Sequence, residues 1–249
     1  MMDPVQEYLD AVEERLAGLA VGINPHKAEE RARFMKVTMP LLGLPVPVQR
    51  RAAKKPYSFT RLPLEAQLPV WEHIWWNART HEGKCQPLYY LMQLSERSPD
   101  LLWPVLRGWG RGVNCWDQSD YLSKIYNEFL SCEREALLRV FKSWVHDDYP
   151  WQRRIGLVSL FGFGGRREWY PPVQDVLSMV EDLLADGDYY VQKGLGWCLR
   201  ECFLVYPQES LWFLSENAAR LAPAAWPAAT EKLSAEQKSA LRKLRRKGR

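Results

Sequence analysis

Apolar residues recur along this chain with the 3.6-residue spacing of helices, and the alternation of a strand is absent. Val176, Leu177, Val180, Leu183 and Leu184 fall at i, i+1, i+4, i+7 and i+8, and Val191, Leu195, Cys198, Leu199, Cys202 and Phe203 form a second stripe of the same kind. Each stripe predicts a helix with one face buried against neighbours. Asn24-Pro25, Ser98-Pro99 and Tyr170-Pro171-Pro172 mark helix starts, because the N–H that proline lacks has no partner in the first turn anyway. The pattern amounts to about eleven or twelve helices with short connectors.

Two segments then match at an offset of 40 residues: Asp148-Tyr149-Pro150-Trp151-Gln152-Arg153-Arg154-Ile155-Gly156 and Asp188-Tyr189-Tyr190-Val191-Gln192-Lys193-Gly194-Leu195-Gly196. That is the period of a HEAT-type helix pair, which buries its apolar face only by stacking on its neighbours. Gly156 and Gly196 occupy the same place in both segments, inside helices where glycine costs about 1 kcal/mol relative to alanine. Close approach of another helix is the expected compensation. The fold class that follows is all-α, a HEAT-like or ARM-type α-solenoid of stacked antiparallel helix pairs whose concave face is the binding surface. Residues 1–230 are expected to form one such domain, with 231–249 as a basic C-terminal helix or tail.

Three stretches read as connectors. Pro40 to Pro63 also holds Pro45, Pro47 and Pro56 with Arg50, Arg51, Lys54 and Lys55, and suggests an extended linker after the first helical pair. Phe161 to Gly165, followed by Arg166 and Arg167, lacks the preceding strand and the spacing of a phosphate loop and reads as a helix connector. Ala222 to Ala229 joins the last core helix to the tail.

A chain of 249 residues with 47% hydrophobic content can bury a substantial core. Met1 to Ala20 carries five acidic residues in a helical pattern, unlike a signal peptide, and no run approaches the roughly 18 to 20 apolar residues of a membrane span. A cytoplasmic, membrane-independent and monomeric protein is expected. The five cysteines are odd in number and hold no C-x-x-C pair, so reduced thiols are expected, with Cys198 and Cys202 as small core residues. The charge is distributed unevenly. Eight Lys or Arg against two Glu give residues 231–249 a charge of +6, which leaves −2 for residues 1–230 of a chain whose total is +4. Phosphate contacts on the body must therefore come from local patches, while the tail offers either unspecific phosphate attraction or a solvated helix end favoured by the dipole.

The usual catalytic motifs are silent. His26, His73, His81 and His146 are scattered, with no H-E-x-x-H and no matched Cys/His pair, so no metal site or cofactor is expected. No nucleophile elbow or Walker loop occurs. What remains is aromatic and basic: twelve tryptophans, some of them near helix starts beside arginine or aspartate. Trp116 and Asp120 are i and i+4 at the opening of a helix that runs on through Tyr121, Leu122, Ile125 and Phe129, so they share one face. On these residues alone, Asp117, Ser119 and Asp120 can equally serve to cap that helix while Trp116 packs.

Asn24-Pro25-His26-Lys27-Ala28-Glu29, then Arg33-Phe34-Met35-Lys36, then Leu42-Gly43-Leu44-Pro45-Val46-Pro47 with Arg50 resemble the entry segment of the bacterial DNA alkylation repair family of HEAT-like glycosylases. Trp116-Asp117-Gln118-Ser119-Asp120 looks like that family's Trp-Asp-x-x-Asp, Trp151 to Gly156 like its Trp-x-x-Arg helix start, and Gln192 to Glu201 like its Gln-Lys-Ala-Ile-Gly-Trp-x-Leu-Arg-Glu. The likeness runs from about residue 20 to residue 205, and its last segment is the most specific. Phe34 and Pro45 depart from it, standing where members can have a tyrosine and a polar residue.

The resemblance implies a concave DNA-binding face, Asp120 as the catalytic carboxylate, Trp116 and Trp197 flanking the sugar and backbone of the lesion nucleotide, and Arg154 on a phosphate. Lys36 and Arg50 of the entry segment are further expected DNA contacts. Arg153 and Lys193 share a repeat position, which suggests a basic stripe that Arg200 extends, although Glu201 beside Arg200 offers an internal ion pair instead. The implied activity is hydrolysis of the N-glycosidic bond of cationic alkylated purines, 3-alkyladenine and 7-alkylguanine, in duplex DNA. A purine alkylated at N3 or N7 already carries positive charge and leaves without a general acid. A carboxylate would then stabilise the positive charge that builds on the deoxyribose. A non-catalytic HEAT-repeat DNA-binding protein and a HEAT scaffold for a protein partner are the alternatives.

Overall fold

The computed structural model describes residues 4–96, 98–162 and 169–248. Arg166, Arg167 and the end of the Phe161 to Gly165 loop lie outside these. Among the described residues the chain is all-α, as expected, with fourteen α-helices and two 3-10 turns. It divides into two compact units, residues 1–125 and 126–249.

The first unit holds α1 (Pro4–Ala20), α2 (Pro25–Met35), α3 (Val46–Lys54), α4 (Leu64–Asn77), α5 (His81–Leu91), α6 (Pro99–Leu106) and the start of α7 (Trp116–Cys132). Asn24 caps α2 through its side chain, accepting from the His26 N–H at 2.9 Å. The proline-rich connector differs from the extended linker expected of it. It contains α3, because Pro47 falls in the first turn, where proline is tolerated, and a 3-10 turn at Phe59–Arg61. The centre of the unit is α5, which packs on α1, α3 and α4 and has every residue from His81 to Tyr89 buried. Its charged groups find partners. Glu82 accepts from the Leu42, Gly43 and Leu44 N–H groups at 2.9, 2.8 and 3.0 Å, and Lys84 donates to the Trp75 carbonyl at 2.7 Å. Burial lowers the Lys84 ammonium to about 8. Trp75 in turn stacks on Trp109 with centroids 5.0 Å apart.

The second unit holds the rest of α7, then α8 (Arg134–Trp144), α9 (Pro150–Val158), α10 (Val173–Asp182), α11 (Tyr189–Val205), α12 (Pro207–Glu216), α13 (Trp226–Ala229) and α14 (Ala235–Lys247). α13 is a single helical turn within the Ala/Pro connector. α11 is the hub, packing on α9, α10, α12 and α13 with Val191, Leu195, Cys198, Leu199 and Cys202 fully buried. The two cysteines are core residues, as expected.

The repeated glycines show the close approach their position demands. A Cβ on Gly156 would lie 3.0 Å from the Phe141 carbonyl oxygen of α8, and one on Gly196 would lie 2.3 Å from the Ala225 carbonyl oxygen at the start of α13. Backbone cannot yield as a side-chain tip can. Gly196→Ala is therefore expected to lose about 1–3 kcal/mol through overpacking, more than the roughly 1 kcal/mol gained in helix propensity. Gly18→Ala, in α1 with nothing within 4 Å, should instead hold or raise the midpoint of thermal unfolding. A Gly196→Ala protein melting at or above the wild type would refute the close-packing account.

Candidate active site and nucleic-acid interface

α7 opens at Trp116 and sets Trp116 and Asp120 one turn apart, both half-buried. Its first turn is fastened from below. Asp117, 7% exposed, meets His81 of α5 across a 2.8 Å hydrogen bond and accepts from the Gln118 N–H at 2.8 Å. The Gln118 amide nitrogen lies 3.3 Å from the other ring nitrogen of His81, and Nε2 directs its proton at Asp117. Desolvation pushes the Asp117 carboxyl upward, but the hydrogen bond and charge of His81, with the Cys115 thiol and the Gln118 N–H, outweigh it and leave the group below its ordinary value. The Cys115 Sγ also lies 3.4 Å from the Met35 carbonyl oxygen. The end of α2 is thereby tied to the start of α7.

That tie positions Lys36, the residue after Met35. It closes α2 in the left-handed conformation, φ 54°, and is exposed. Arg50, exposed on α3, donates to the hydroxyl of Tyr121, the neighbour of Asp120, with its guanidinium carbon 5.2 Å from the ring centroid. Within the first unit, then, Trp116, Asp120, Lys36 and Arg50 all attach to the opening of α7 or to segments bonded to it.

His81, Gln118 and Tyr121 are members of this assembly that the motifs do not single out. The histidines are scattered in the sequence, yet His81 and Cys85 stand four apart on α5 and, with Asp117, place three ligand-type atoms within 4.8 Å of one another. The spacing of His81 and Cys85 is the available signal. Ligands at 2.0–2.3 Å from a tetrahedral ion stand roughly 3.3–3.8 Å apart. The 2.8 Å contact between His81 and Asp117 is shorter and is a direct hydrogen bond.

The candidates of the second unit lie on α9 and α11. Arg153, expected on a phosphate, is held by Asp186 at 2.6 Å and by the Asp147 and Asp148 carbonyls at 2.9 Å each. Its charge is neutralised and its fork filled, which makes it a brace between α9 and the loop before α11. Arg154, also expected on a phosphate, is 6% exposed and donates to the Tyr190 carbonyl at 2.8 Å. Its stem crosses α11 where Gly194 leaves room, and a Cβ there would approach Arg154 Cγ to 2.9 Å. Arg200, expected on DNA, pairs with Glu201 at 2.7 Å and Glu231 at 3.1 Å. Burial would lower its pKa, but these bonds raise it. Its guanidinium lies 5.7 Å from the ring centroid of Trp197, which is half-buried. Lys193 keeps a half-exposed position on the rim of a 560 Å³ cleft walled by Tyr189, Gln192, Ala222, Pro223 and Pro227. Among the described residues no helix is long and apolar enough to cross a membrane.

The chain superposes on a solved structure from Enterococcus faecalis described as a predicted DNA alkylation repair enzyme, with a TM-score of 0.70 over 85% of this chain and 97% of that one at 18% identity. AlkD2 from Streptococcus mutans gives a TM-score of 0.50 over 88% of this chain and 97% of that one, again at 18% identity. The smu.31 protein of Streptococcus mutans UA159 gives 0.50 over 80% and 90%, at 18%. These likenesses establish a shared helical fold. No curated protein matches the chain in sequence. The model of the family described as DNA alkylation repair enzyme matches residues 15–233, so that the chain belongs to the DNA alkylation repair enzyme family.

Proposed function

We propose that this protein is a DNA glycosylase that hydrolyses the N-glycosidic bond of cationic alkylated purines, 3-alkyladenine and 7-alkylguanine, in duplex DNA. The observation that carries the reading is Asp120: a half-exposed carboxylate one turn after Trp116, at a helix opening braced by a buried His–Asp pair, in a member of the DNA alkylation repair enzyme family.

The alkylated base carries its positive charge into the bond-breaking step. As the bond from C1′ to the base nitrogen stretches, its electron pair moves onto the base, which departs neutral, and the positive charge shifts to the sugar. Asp120 stabilises that charge and orients the water whose oxygen bonds to C1′; the water's surplus proton passes to the carboxylate or to solvent. The face of Trp116 adds cation–π stabilisation of roughly 1–2 kcal/mol in a desolvated setting. Lys36, Arg50 and Lys193 supply phosphate contacts, and Trp197 offers an aromatic surface to the sugar–phosphate chain.

Incubation of the full chain with methylated duplex DNA, followed by chromatography of the freed bases, tests the proposal. Release of 3-methyladenine or 7-methylguanine is expected. Binding of methylated duplex without release would replace the enzyme by a non-catalytic DNA-binding protein of the same fold.

A further inference from the structure

α14 lies beyond the family match, which ends at residue 233, and it concentrates charge as no other part of the chain does. Ala235–Lys247 holds six cations, Lys238, Arg242, Lys243, Arg245, Arg246 and Lys247, against the single carboxylate of Glu236. This is an ordered helix. Ser234 and Gln237 close a capping box at its start, Leu241 is buried, and the Arg245 guanidinium lies 4.3 Å from the ring centroid of Trp226. Docking fixes the remaining face outward: Arg242, Lys243, Arg246 and Lys247 lie on it, and none pairs with a carboxylate among the described residues. Lys238, half-buried, donates to the Glu231 carbonyl at 3.0 Å, which leaves its charge uncompensated.

Such an array works against the helix that carries it. Lys238 and Arg242, Arg242 and Arg246, and Lys243 and Lys247 are like-charged pairs at i, i+4, each destabilising. A helix held in this state is matched to an external polyanion. From Lys238 to Lys247 the axis rises about 14 Å, the span of about four phosphates along one strand of a duplex.

We infer that α14 is a second, sequence-independent contact for duplex DNA, gripping about four backbone phosphates outside the lesion site and supplying most of the protein's affinity for undamaged duplex. The inference rests on the proposed action on DNA. It fits a chain whose residues 1–230 carry a net −2 and whose remaining segment carries +6. The exposed arc lacks the Trp or Phe anchors of a helix that lies in a lipid interface, which favours a nucleic acid over a membrane.

The test compares the full-length wild type with a full-length variant in which Lys238, Arg242, Lys243, Arg246 and Lys247 are glutamine, and with a second full-length variant in which the same five are serine. Binding to an undamaged duplex of about 20 base pairs is measured by fluorescence anisotropy across a sodium chloride series. With about four phosphates no longer neutralised, the slope of log K against log salt should fall by about 3 to 4 in both altered proteins. The wild type should lose on the order of a hundredfold more affinity than either between about 50 and 200 mM salt. Replacing the two arginines by lysine and the three lysines by arginine should leave the wild-type slope. Release of methylated bases at low salt with saturating protein should be unchanged by the glutamines. Equal slopes for wild type and both altered proteins would overturn the inference while leaving the glycosylase reading intact. So would loss of binding to anionic lipid vesicles or an acidic peptide with DNA binding unmoved. A wild type that neither binds duplex nor releases bases would overturn both.

Discussion

Asparagine at position 120 is expected to leave DNA affinity intact and to cut base release by about a thousandfold. The two side chains are nearly isosteric, so the substitution removes the negative charge at the half-buried opening of α7 with little change of shape. At about 4 Å and an effective dielectric near 20, a carboxylate and a unit positive charge attract by about 4 kcal/mol, and each 1.36 kcal/mol of barrier is tenfold in rate. The sugar is neutral in the bound state and cationic only as the bond breaks. The attraction grows as the charge moves from the base onto the sugar and falls mainly on the rate of the chemical step. Removing a negative charge beside a polyanion should hold or tighten affinity. Single-turnover release from methylated duplex measures the loss; release within a few-fold of the wild type would remove Asp120 from the catalytic role.

Asp117→Ala is the second large effect, and it falls on stability. It strips the acceptor from His81 Nε2, a donor buried at 1% exposure, and from the Gln118 N–H at the first turn of α7. Breaking a buried hydrogen-bonded pair from one side costs about 3 kcal/mol. Asp117→Asn keeps an acceptor oxygen and should recover much of that. The pH dependence separates charge from hydrogen bond. The folded-state pKa of Asp117 lies below its unfolded value of about 3.9, so the carboxylate stabilises the fold above that pH and the contribution is withdrawn as pH falls through the folded value. Denaturant unfolding of wild type and Asp117→Asn should therefore differ near neutrality and converge below about pH 4. A gap between them that stays constant down to acid pH would show that the charge contributes nothing.

Much of the fold is legible in the sequence wherever one periodic apolar stripe decides it. α10 and α11 follow from their stripes, and Gly156 and Gly196 announce close backbone contacts because an unexplained helix-interior glycine demands one. α5 hides, although it is the most enclosed helix of its unit. His81-Glu82-Gly83-Lys84-Cys85-Gln86 reads as a surface, and its burial is stabilised by partners distant in sequence, such as Asp117 at 36 residues and the 42–44 backbone at 38 to 40. The candidate site shows the same boundary. Trp116 and Asp120 share a helix face by spacing alone, and α7 delivers it. Which basic residues keep their charge available is beyond a one-dimensional reading, since Arg153 is neutralised by Asp186, 33 positions on, and Arg200 by Glu231, 31 positions on. Lys193, carried at the same repeat position as Arg153, has no comparable clamp among the described residues.

The three amide groups gathered by Glu82 make the stretch 42–44 less a spacer than a part of the helix it borders. Gly43 takes φ +83° there, and any Cβ would strike Ala28, so neither its length nor its residue at that point is open to variation. Grafts or insertions aimed at retuning the basic residues Lys36 and Arg50, on either side of it, must keep this register with the carboxylate. A single added residue would shift one flank against the other and change where those two cations meet the α7 opening.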